Sequence, residues 1–392
     1  MCPACGCGGI LLPMKIVFTG GGTGGHFYPI IAVAEAISGL VKERKLIEPE
    51  LYFYGPSDFD ERALYENGIT FVKTPAGKLR RYFSILNFFG LFATAWGILQ
   101  TLLILYKLFP DVVFSKGGYG SVPTVTAAHL LGIPIIIHDS DAVPGRATLA
   151  AAGYAKKIAI SYDEAVEHFP TSLRDKIALT GNPVRRDIQN PAKEGYDEFL
   201  GLEANVPVIL ILGGSLGAEA LNDVVLSALP DLVARYQVIH QTGQKHIESV
   251  MATSKVILDK NERRYRYKPY GFLTPLAVKM AAGAADLVVS RAGSGSIAEI
   301  ASWGRASILV PIPSAVSRDQ RENAFAYARS GATTVIEQDN LTPHVLVAEI
   351  DRLFTNPKAR TDMADAAKKF AKPDAARLLA VAVIDTALEH EK

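Results

Sequence analysis

The chain has 392 residues, of which 49% are hydrophobic and 21% are charged, and its formal net charge is +1. This length exceeds what one hydrophobic core usually serves, so two domains are expected, and the near-neutral charge gives no global argument for a nucleic-acid partner. All three cysteines, Cys2, Cys5 and Cys7, lie in the first seven residues, which excludes a disulfide framework. Three cysteines without a nearby fourth ligand make a poor zinc site. We therefore expect residues 1–13 to form a disordered leader.

The stretch TGGGTGGHFYP, at residues 19–29, joins a short apolar run to an amphipathic segment with helical spacing. This order predicts a strand, a glycine loop and a helix with Pro29 in its first turn. The glycines let the backbone approach a ligand closely, and free N–H groups at a helix start favour an anion or a sugar oxygen. A dinucleotide site is disfavoured, because the next predicted strand runs into Gly55, Pro56 and Ser57 without the acidic residue that such a site needs.

Residues 82–106 carry no charge and follow the basic residues Lys78, Arg80 and Arg81. Their length is that of a membrane-spanning helix, but polar side chains and two glycines are scattered among them. Three interpretations stay open: a helix that is apolar all round and lies in the core, a helix of which part docks on an anionic membrane surface, and a true span. In the second interpretation, the membrane contact consists of the basic start and four aromatic residues, Tyr82, Phe83, Phe88 and Phe89.

Short apolar runs that end in glycine-rich or polar loops recur along the whole chain. The further predicted strands are residues 51–54, 111–114, 133–137, 158–161, 177–180, 208–212, 238–241, 267–272, 286–290 and 308–311. The alternation with helical segments predicts an α/β protein with two strand-loop-helix domains. Because ligands of such sheets bind at the carboxyl ends of parallel strands, the loops are expected to open toward a shared cleft.

Composition also gives the expected domain boundaries. Residues 186–205 are polar, with a proline, a glycine and several charges, and are typical of a linker between domains. We expect an N-terminal domain over residues 14–190 and a C-terminal domain over residues 191–370. Residues 371–392 are expected to form a helix that crosses back to the first domain.

Six blocks of sequence, in order and spacing, resemble the MurG-type transferases of bacteria. The blocks are GGTGGHFYP, PDVVFSKGGYGSVP, GNPVR, GGSLGA, RAGSGSIAEIASWG and the pair Gln320 and Asn323. The resemblance covers about residues 14 to 390 and implies a glycosyltransferase B fold, in which two Rossmann-like domains face a central cleft. It implies transfer of N-acetylglucosamine from UDP-N-acetylglucosamine to undecaprenyl-diphospho-muramoyl-pentapeptide (lipid I), at the cytoplasmic face of the membrane.

The resemblance also implies which residues bind the nucleotide sugar. Ser215 and Arg185 hold the diphosphate, Phe272 and Leu273 contact the uracil, and Gln320 and Asn323 bind the sugar hydroxyls. A hydroxyl, a guanidinium and backbone N–H groups are also what a leaving diphosphate requires chemically. The full donor set is Thr23, Gly24, Gly25, Asp141, Arg185, Ser215, Phe272, Leu273, Ser294, Gly295, Ser296, Glu299, Gln320 and Asn323.

Glu299 has two interpretations. Ser296 followed three residues later by Glu299 matches a capping box, which satisfies a helix start without any ligand. The resemblance makes Glu299 the carboxylate that binds the ribose hydroxyls, and we favour this role.

The reaction needs a base for the proton of the acceptor hydroxyl, and the candidates are His26 and Asp139. The family usually has His-Glu-Gln-Asn where this chain has His138-Asp139-Ser140-Asp141. The carboxylate is retained, but Asp141 replaces an amide associated with the donor sugar, so donor preference is open. The acceptor and membrane set is Lys78, Arg80, Arg81, Phe83 and Tyr119. No metal and no cofactor are expected, because helix dipoles and a guanidinium stabilise the leaving group.

Two alternatives stay open: a second enzyme hypothesis and, from another class of function, a protein that is not an enzyme. One is a different enzyme of the same fold that uses a UDP-sugar, either a lipid glycosyltransferase or a UDP-sugar 2-epimerase. An epimerase needs no lipid, so membrane affinity would argue against it. The other is a non-catalytic membrane scaffold, which would lose nothing on substitution of His26 or Asp139.

Overall fold

The computed structural model describes residues 13–21, 24–77, 85–214, 218–314 and 318–390, with the backbone alone for 85–89, 91 and 318. The chain divides into two compact units. The first contains the chain up to His138, the segment Gly145–Ala159, and the chain from Arg377 onward. The second contains Asp139–Pro144 and Ile160–Ala376.

The first sheet has seven strands in the order β3-β2-β1-β4-β5-β6-β7. Every pairing described in it is parallel, and Ile16 in the buried strand β1 lies opposite both Leu51 and Val112. The strands are β1 Lys15–Thr19, β2 Glu50–Gly55, β3 Ile69–Lys73, β4 Val112–Ser115, β5 Ile135–Asp139, β6 Lys157–Ile160 and β7 Ile177–Leu179. This order places the loop after β1 next to the loop after β4.

Among the residues that the structure describes, seven α-helices accompany these strands and the segment that follows them. They are α1 Gly24–Arg44, α2 Glu61–Glu66, α3 Ile85–Leu108, α4 Val122–Leu130, α5 Arg146–Ala151, α6 Arg186–Gln189 and α7 Tyr196–Leu200. The core of the first unit includes the buried face of α1 and the inner residues of β1 and β4.

The second sheet has six strands in the order β10-β9-β8-β11-β12-β13, again with parallel pairings. Its strands are β8 Val208–Leu212, β9 Gln237–Gln241, β10 Tyr267–Tyr270, β11 Leu287–Ser290, β12 Ser307–Leu309 and β13 Thr333–Val335. Alternate residues of β8 enter two different cores, since Ile209 and Ile211 pack in one and Leu210 and Leu212 in the other. The sheet is therefore covered on both faces, as parallel sheets are.

Eight α-helices lie in the described residues of this part of the chain. They are α8 Glu219–Arg235, α9 Ile247–Ile257, α10 Pro275–Ala284, α11 Ser294–Trp303, α12 Arg318–Arg329, α13 Pro343–Thr355, α14 Pro357–Phe370 and α15 Ala375–His390. Most of α15 belongs to the first unit. There Leu379, Val383 and Ile384 enter the core, and Arg377 makes a two-pronged ion pair with Glu43 at 2.8 and 2.9 Å.

The α/β alternation is confirmed, but three local expectations differ from the structure. Helix α1 begins at Gly24, so Pro29 lies inside the helix rather than in its first turn, where it leaves the Gly25 carbonyl without the usual N–H donor. Residues 186–205 are not an open linker, because α6 and α7 form there and the whole segment lies in the second unit. The strands β3 and β13 were not predicted.

The units also divide the chain differently from the expected boundary at residue 190. Residues 160–190 cluster with the second unit, although β7 within them belongs to the first sheet. The predicted leader lies almost wholly outside the described residues.

Candidate active site

Six of the predicted site residues lie outside the described part of the chain. They are Thr23, Lys78, Arg80, Arg81, Phe83 and Ser215. The other predicted site residues are distributed over the two units.

In the first unit, two glycine loops meet beside His26. His26 is the third residue of α1 rather than part of the loop before it, and Gly24 and Gly25 open the helix. Gly118, in the loop after β4, has a φ of 78°, and a Cβ there would lie 2.8 Å from Cα of Gly21 and 3.4 Å from Nε2 of His26. A side chain at position 118 is therefore excluded by both conformation and space.

The contact between these loops continues on the far side of Gly118. A Cβ on Gly120 would lie 2.6 Å from the carbonyl oxygen of Gly20, so the backbones touch there as well. Tyr119, half-buried, lies between them in a short 3₁₀ turn that spans Tyr119–Ser121. The sequence predicted two glycine loops in this domain, and the structure brings them together around His26.

In the second unit, Asp139 ends strand β5 and opens a tight turn. Its side chain is buried, and its Oδ1 accepts a hydrogen bond of 3.0 Å from the backbone N–H of Asp141. The carbonyl of Asp139 accepts a bond of 3.1 Å from the Ser161 hydroxyl. The orientation of this candidate base is thus set by the turn that follows it.

Asp141 and Ser140 are two of the three residues that depart from the family pattern, and both contact residues of the second unit. The Nδ2 of Asn323 donates to Oδ1 of Asp141 at 2.7 Å. The hydroxyl of Ser140 donates to Oδ1 of Asn182 at 3.0 Å, and its carbonyl accepts from the Ser294 hydroxyl. Two residues predicted to bind the donor, Ser294 and Asn323, therefore form side-chain hydrogen bonds to this loop.

Gln320 lies one helical turn before Asn323 on α12. Its Oε1 accepts a bond of 3.3 Å from the backbone N–H of Ile312, and the residue is half-buried. Gln320 thus ties the start of α12 to the loop after β12.

Helix α11 begins earlier than a capping box at Ser296 requires. Its first residue is Ser294, the N-cap is Gly293, and no side chain caps this end. The capping-box alternative is therefore wrong, because Ser296 already lies in the first turn and Glu299 in the second. Gly295 and Ser296 are half-buried at this uncapped helix start, where backbone N–H groups suit an anion.

Glu299 is half-buried, and burial raises its pKa to about 7, while the Arg185 guanidinium lowers it. The Nε of Arg185 lies 3.9 Å from Oδ1 of Asp187, and 17% of the Arg185 side chain is exposed. The Glu299 carboxyl and the Arg185 guanidinium thus interact electrostatically near the N-terminus of α11. This arrangement suits the vicinal hydroxyls and the diphosphate of a nucleotide.

The predicted uracil contact contains a residue that the sequence did not single out. Phe272 is 49% exposed, whereas Leu273 is buried and its backbone N–H donates to Oε1 of Gln241 at 3.1 Å. Gln241 is itself buried at the end of β9. Its position at the carboxyl end of a parallel strand was the available signal.

Arg291 is a second buried residue for which the sequence predicts no role of its own. It follows β11, is 6% exposed, and its Nη1 donates to the carbonyl of Val310 at 3.1 Å. Burial lowers its pKa. The guanidinium thus joins the ends of β11 and β12 at the edge of the sheet where α11 begins.

Comparison with known families agrees with this architecture. Residues 16–160 match the N-terminal domain of glycosyltransferase family 28, and residues 208–379 match its C-terminal domain. Fold and site together define a glycosyltransferase of the B fold, with two Rossmann-like domains.

Individual relatives narrow the class. The chain is 39% identical to a protein of Treponema denticola, over 85% of this chain and 86% of the relative, and 36% identical to one of Halothermothrix orenii, over 95% and 99%. Both are named UDP-N-acetylglucosamine–N-acetylmuramyl-(pentapeptide) pyrophosphoryl-undecaprenol N-acetylglucosamine transferase. The crystal structure of Acinetobacter baumannii MurG is 25% identical, with a TM-score of 0.69 over 95% of this chain and 100% of that one. The chain belongs to the MurG-type transferases of glycosyltransferase family 28.

A further solved structure shows how widely the fold is used. A putative UDP-N-acetylglucosamine 2-epimerase of Listeria monocytogenes is 14% identical, with a TM-score of 0.68 over 96% of this chain and 97% of that one. At this identity the similarity shows the fold alone.

Proposed function

We propose that this glycosyltransferase transfers N-acetylglucosamine from UDP-N-acetylglucosamine to the 4-hydroxyl of the muramoyl sugar of lipid I, with inversion at the anomeric carbon. The observation that carries the proposal is the electrostatic effect of the Arg185 guanidinium on the Glu299 carboxyl, which lies in the second turn of α11. The carboxylate accepts hydrogen bonds from the two ribose hydroxyls, and the guanidinium neutralises the diphosphate. Membership in the MurG-type family supplies the identity of donor and acceptor.

The chemical step is a single displacement. The acceptor oxygen forms a bond to the anomeric carbon as the bond between that carbon and the diphosphate oxygen breaks. The proton of the acceptor hydroxyl passes to a base, for which His26 and Asp139 are the candidates, and UDP leaves with the electron pair. Arg185 and the N–H groups at the glycine turns stabilise the charge that develops on the diphosphate.

The acceptor carries a polyprenyl chain, and the first unit has an exposed apolar surface suited to a membrane. On α3, the stripe of side chains Phe92, Trp96, Leu99, Leu103 and Tyr106 is between 49% and 69% exposed. The spacing of three and four residues places them on one face of the helix. Lys78, Arg80 and Arg81 precede this helix in the sequence and favour anionic headgroups.

Peripheral attachment at the cytoplasmic face of the membrane is part of the same proposal. Among the described residues one helix, α1, is long and apolar enough to cross a membrane, and 56% of its apolar window is buried inside the protein, as in a core helix. Flotation with vesicles tests the proposal: we expect binding to anionic vesicles and little to neutral ones. Equal binding to both would contradict the role of the basic cluster.

Release of UDP tests the donor and the acceptor together. We expect UDP release from UDP-N-acetylglucosamine only when a short-chain lipid I analogue is present, and little release from UDP-glucose. Arg185→Ala is expected to lower the rate of UDP release by roughly 100-fold, because the leaving diphosphate then loses its charge-assisted contact with the guanidinium. Arg174→Ala, on an exposed side chain, serves as the matched control. Release without the analogue, or a strong preference for UDP-glucose, would overturn the assignment.

A further inference from the structure

His240 is a buried titratable residue that has no part in the proposed reaction. It lies on β9, its side chain has no exposed surface, and burial lowers its pKa to about 3, so the ring is neutral at physiological pH. Its Nδ1 is 2.9 Å from the Tyr267 hydroxyl on β10. Its Nε2 is 3.1 Å from Oδ1 of Asn222 on α8. This one side chain therefore connects β9 to both β10 and α8.

The tautomer of the His240 ring is set by its hydrogen-bond partners. The carbonyl of Thr242 can only accept, so the Nδ2 of Asn222 faces it and donates at 3.0 Å. The Oδ1 of Asn222 then faces His240, whose Nε2 must carry the proton. The Nδ1 of the neutral ring is left as the acceptor for the Tyr267 hydroxyl. These three hydrogen bonds, which we call the His240 network, run in one direction from β10 to the loop after β9.

The His240 network holds the start of α8. Asn222 is the fourth residue of that helix, and its backbone N–H donates to the carbonyl of Ala218, the N-cap, at 2.8 Å. The side chain of Asn222 thus ties the first turn of α8 to the loop after β9. An alanine side chain at the N-cap cannot bind the N–H groups of residues 219–221, and such groups at a helix start suit an anion.

The glycine turn that precedes α8 is fixed at the same strand end. The backbone N–H of Gly213 donates to the carbonyl of Gln241 at 3.0 Å, and a Cβ on Gly213 would lie 3.0 Å from that oxygen. Gln241 directly follows His240 in the sequence, and its Oε1 accepts the N–H of Leu273 at the predicted uracil contact. The His240 network therefore adjoins both the predicted uracil contact and the predicted diphosphate turn.

We propose that His240 is a positioning residue for the diphosphate of the donor, because through Asn222 it fixes the start of α8 and the N–H groups that the diphosphate needs. The ring is fully buried, so it acts through Asn222 and not by touching the substrate. The inference rests on the proposed function, in which N–H groups at the glycine turns stabilise the charge on the diphosphate. Loss of the network should accordingly weaken contacts to the diphosphate and spare contacts to the uridine.

Two substitutions of His240 test the direction of the network. Glutamine is long enough to place an amide N–H near the position of the ring Nε2, so His240→Gln keeps a donor for Asn222. Asparagine reaches only the position of Nδ1, so His240→Asn leaves the Asn222 oxygen without its donor. Tyr267→Phe is the matched control, since it removes a buried hydrogen bond of the same ring but leaves the contact with Asn222 in place.

Affinities for UDP and for uridine, measured by NMR titration, separate positioning from general loosening of the fold. In His240→Asn we expect the Kd for UDP to rise roughly tenfold and the Kd for uridine to change by less than about twofold. His240→Gln and Tyr267→Phe should both bind UDP within about threefold of the wild type. Equal changes for the two ligands in His240→Asn, or a loss in Tyr267→Phe as large as in His240→Asn, would overturn the proposal.

Nitrogen-15 NMR of the wild-type protein with labelled histidine gives a readout that needs no ligand. We expect the His240 ring, assigned by its absence in His240→Gln, to carry its proton on Nε2 and to show no titration between about pH 5.5 and 8.5. A proton on Nδ1, or a ring that titrates, would refute the network. If the wild type binds UDP but transfers no sugar to a short-chain lipid I analogue, the proposed function is wrong, whereas an unchanged Kd for UDP in His240→Asn refutes the positioning role alone.

Discussion

Replacing Glu299 with glutamine should make the protein more stable at neutral and alkaline pH while it weakens nucleotide binding. Burial raises the pKa of Glu299 from 4.5 to about 7, so the folded state binds a proton more tightly than the unfolded state does. Below about pH 4.5 Glu299 is protonated in the folded state and its burial has no electrostatic cost. The free energy of unfolding then falls as the pH rises through 7 and the buried side chain ionises. At about 1.4 kcal/mol for each unit of pKa, the ionised side chain costs about 3 kcal/mol above pH 8.

The assay is urea unfolding of wild type and Glu299→Gln at pH 4.5 and pH 8, followed by the fluorescence of Trp303. Trp303 is buried on the same helix as Glu299. The free energy of unfolding of the variant, relative to the wild type, should rise by about 3 kcal/mol between the two pH values. An equal difference at both pH values would refute the electrostatic argument.

Glu349→Gln is the matched control, and its effect should have the opposite sign. Arg352 binds the Glu349 carboxylate through two hydrogen bonds of 2.7 and 2.8 Å and holds its pKa below the ordinary value. That contribution is present at pH 8 and is lost as the pH falls, so the variant should be less stable only at the higher pH. An exposed pair of this kind contributes less than about 1 kcal/mol.

Ligand binding completes the prediction for Glu299. If the ionised carboxylate accepts the ribose hydroxyls, UDP affinity should rise between pH 6 and pH 8 in the wild type. In Glu299→Gln, affinity should be lower by roughly tenfold and independent of pH in this range. A pH-independent affinity in the wild type would remove Glu299 from the nucleotide site.

Four further substitutions test the first unit. Gly97→Ala should destabilise the protein by about 2 kcal/mol in thermal unfolding, because its Cβ would lie 1.9 Å from the Pro75 carbonyl oxygen. Gly39→Ala has open space around its Cβ and should instead stabilise α1 by about 0.5–1 kcal/mol. Equal effects would contradict this packing. Gly118→Ala should abolish transfer but preserve UDP binding by calorimetry, because the strain falls on the loops around His26; retained transfer would exclude those loops from the site. Trp96→Ser should reduce vesicle flotation severalfold and leave UDP binding unchanged, and undiminished flotation would remove α3 from the membrane contact.

The alternation of strands, glycine turns and helices was predictable because its signals are local. A run such as residues 208–212 is apolar at every position, as a strand buried on both faces must be, and it forms β8 with those bounds. The strand β13, by contrast, has three residues, Thr333–Val335, and depends on pairing with β12. Such a segment carries too little pattern to be recognised in isolation.

Two features near the site could not be predicted for the same physical reason. Ser296 and Glu299 fit a capping box by spacing, but the helix starts at Ser294, so the pair lies inside it. Spacing likewise places Gln320 and Asn323 on one helical face, yet it does not show that Asn323 is fully buried against Asp141. Contacts between residues 182 positions apart in sequence depend on tertiary packing, which a local pattern does not record.

Mass analysis of the reaction product tests the central claim most directly. The wild-type protein is incubated with UDP-N-acetylglucosamine and a short-chain lipid I analogue, and the lipid product is isolated and its new glycosidic bond assigned by NMR. We predict an analogue heavier by one N-acetylhexosamine, joined by a β-1,4 bond to the muramoyl sugar, with one UDP released for each product. Conversion of the donor with an unmodified analogue, or a sugar attached elsewhere, would contradict the assignment of this chain as the lipid I transferase.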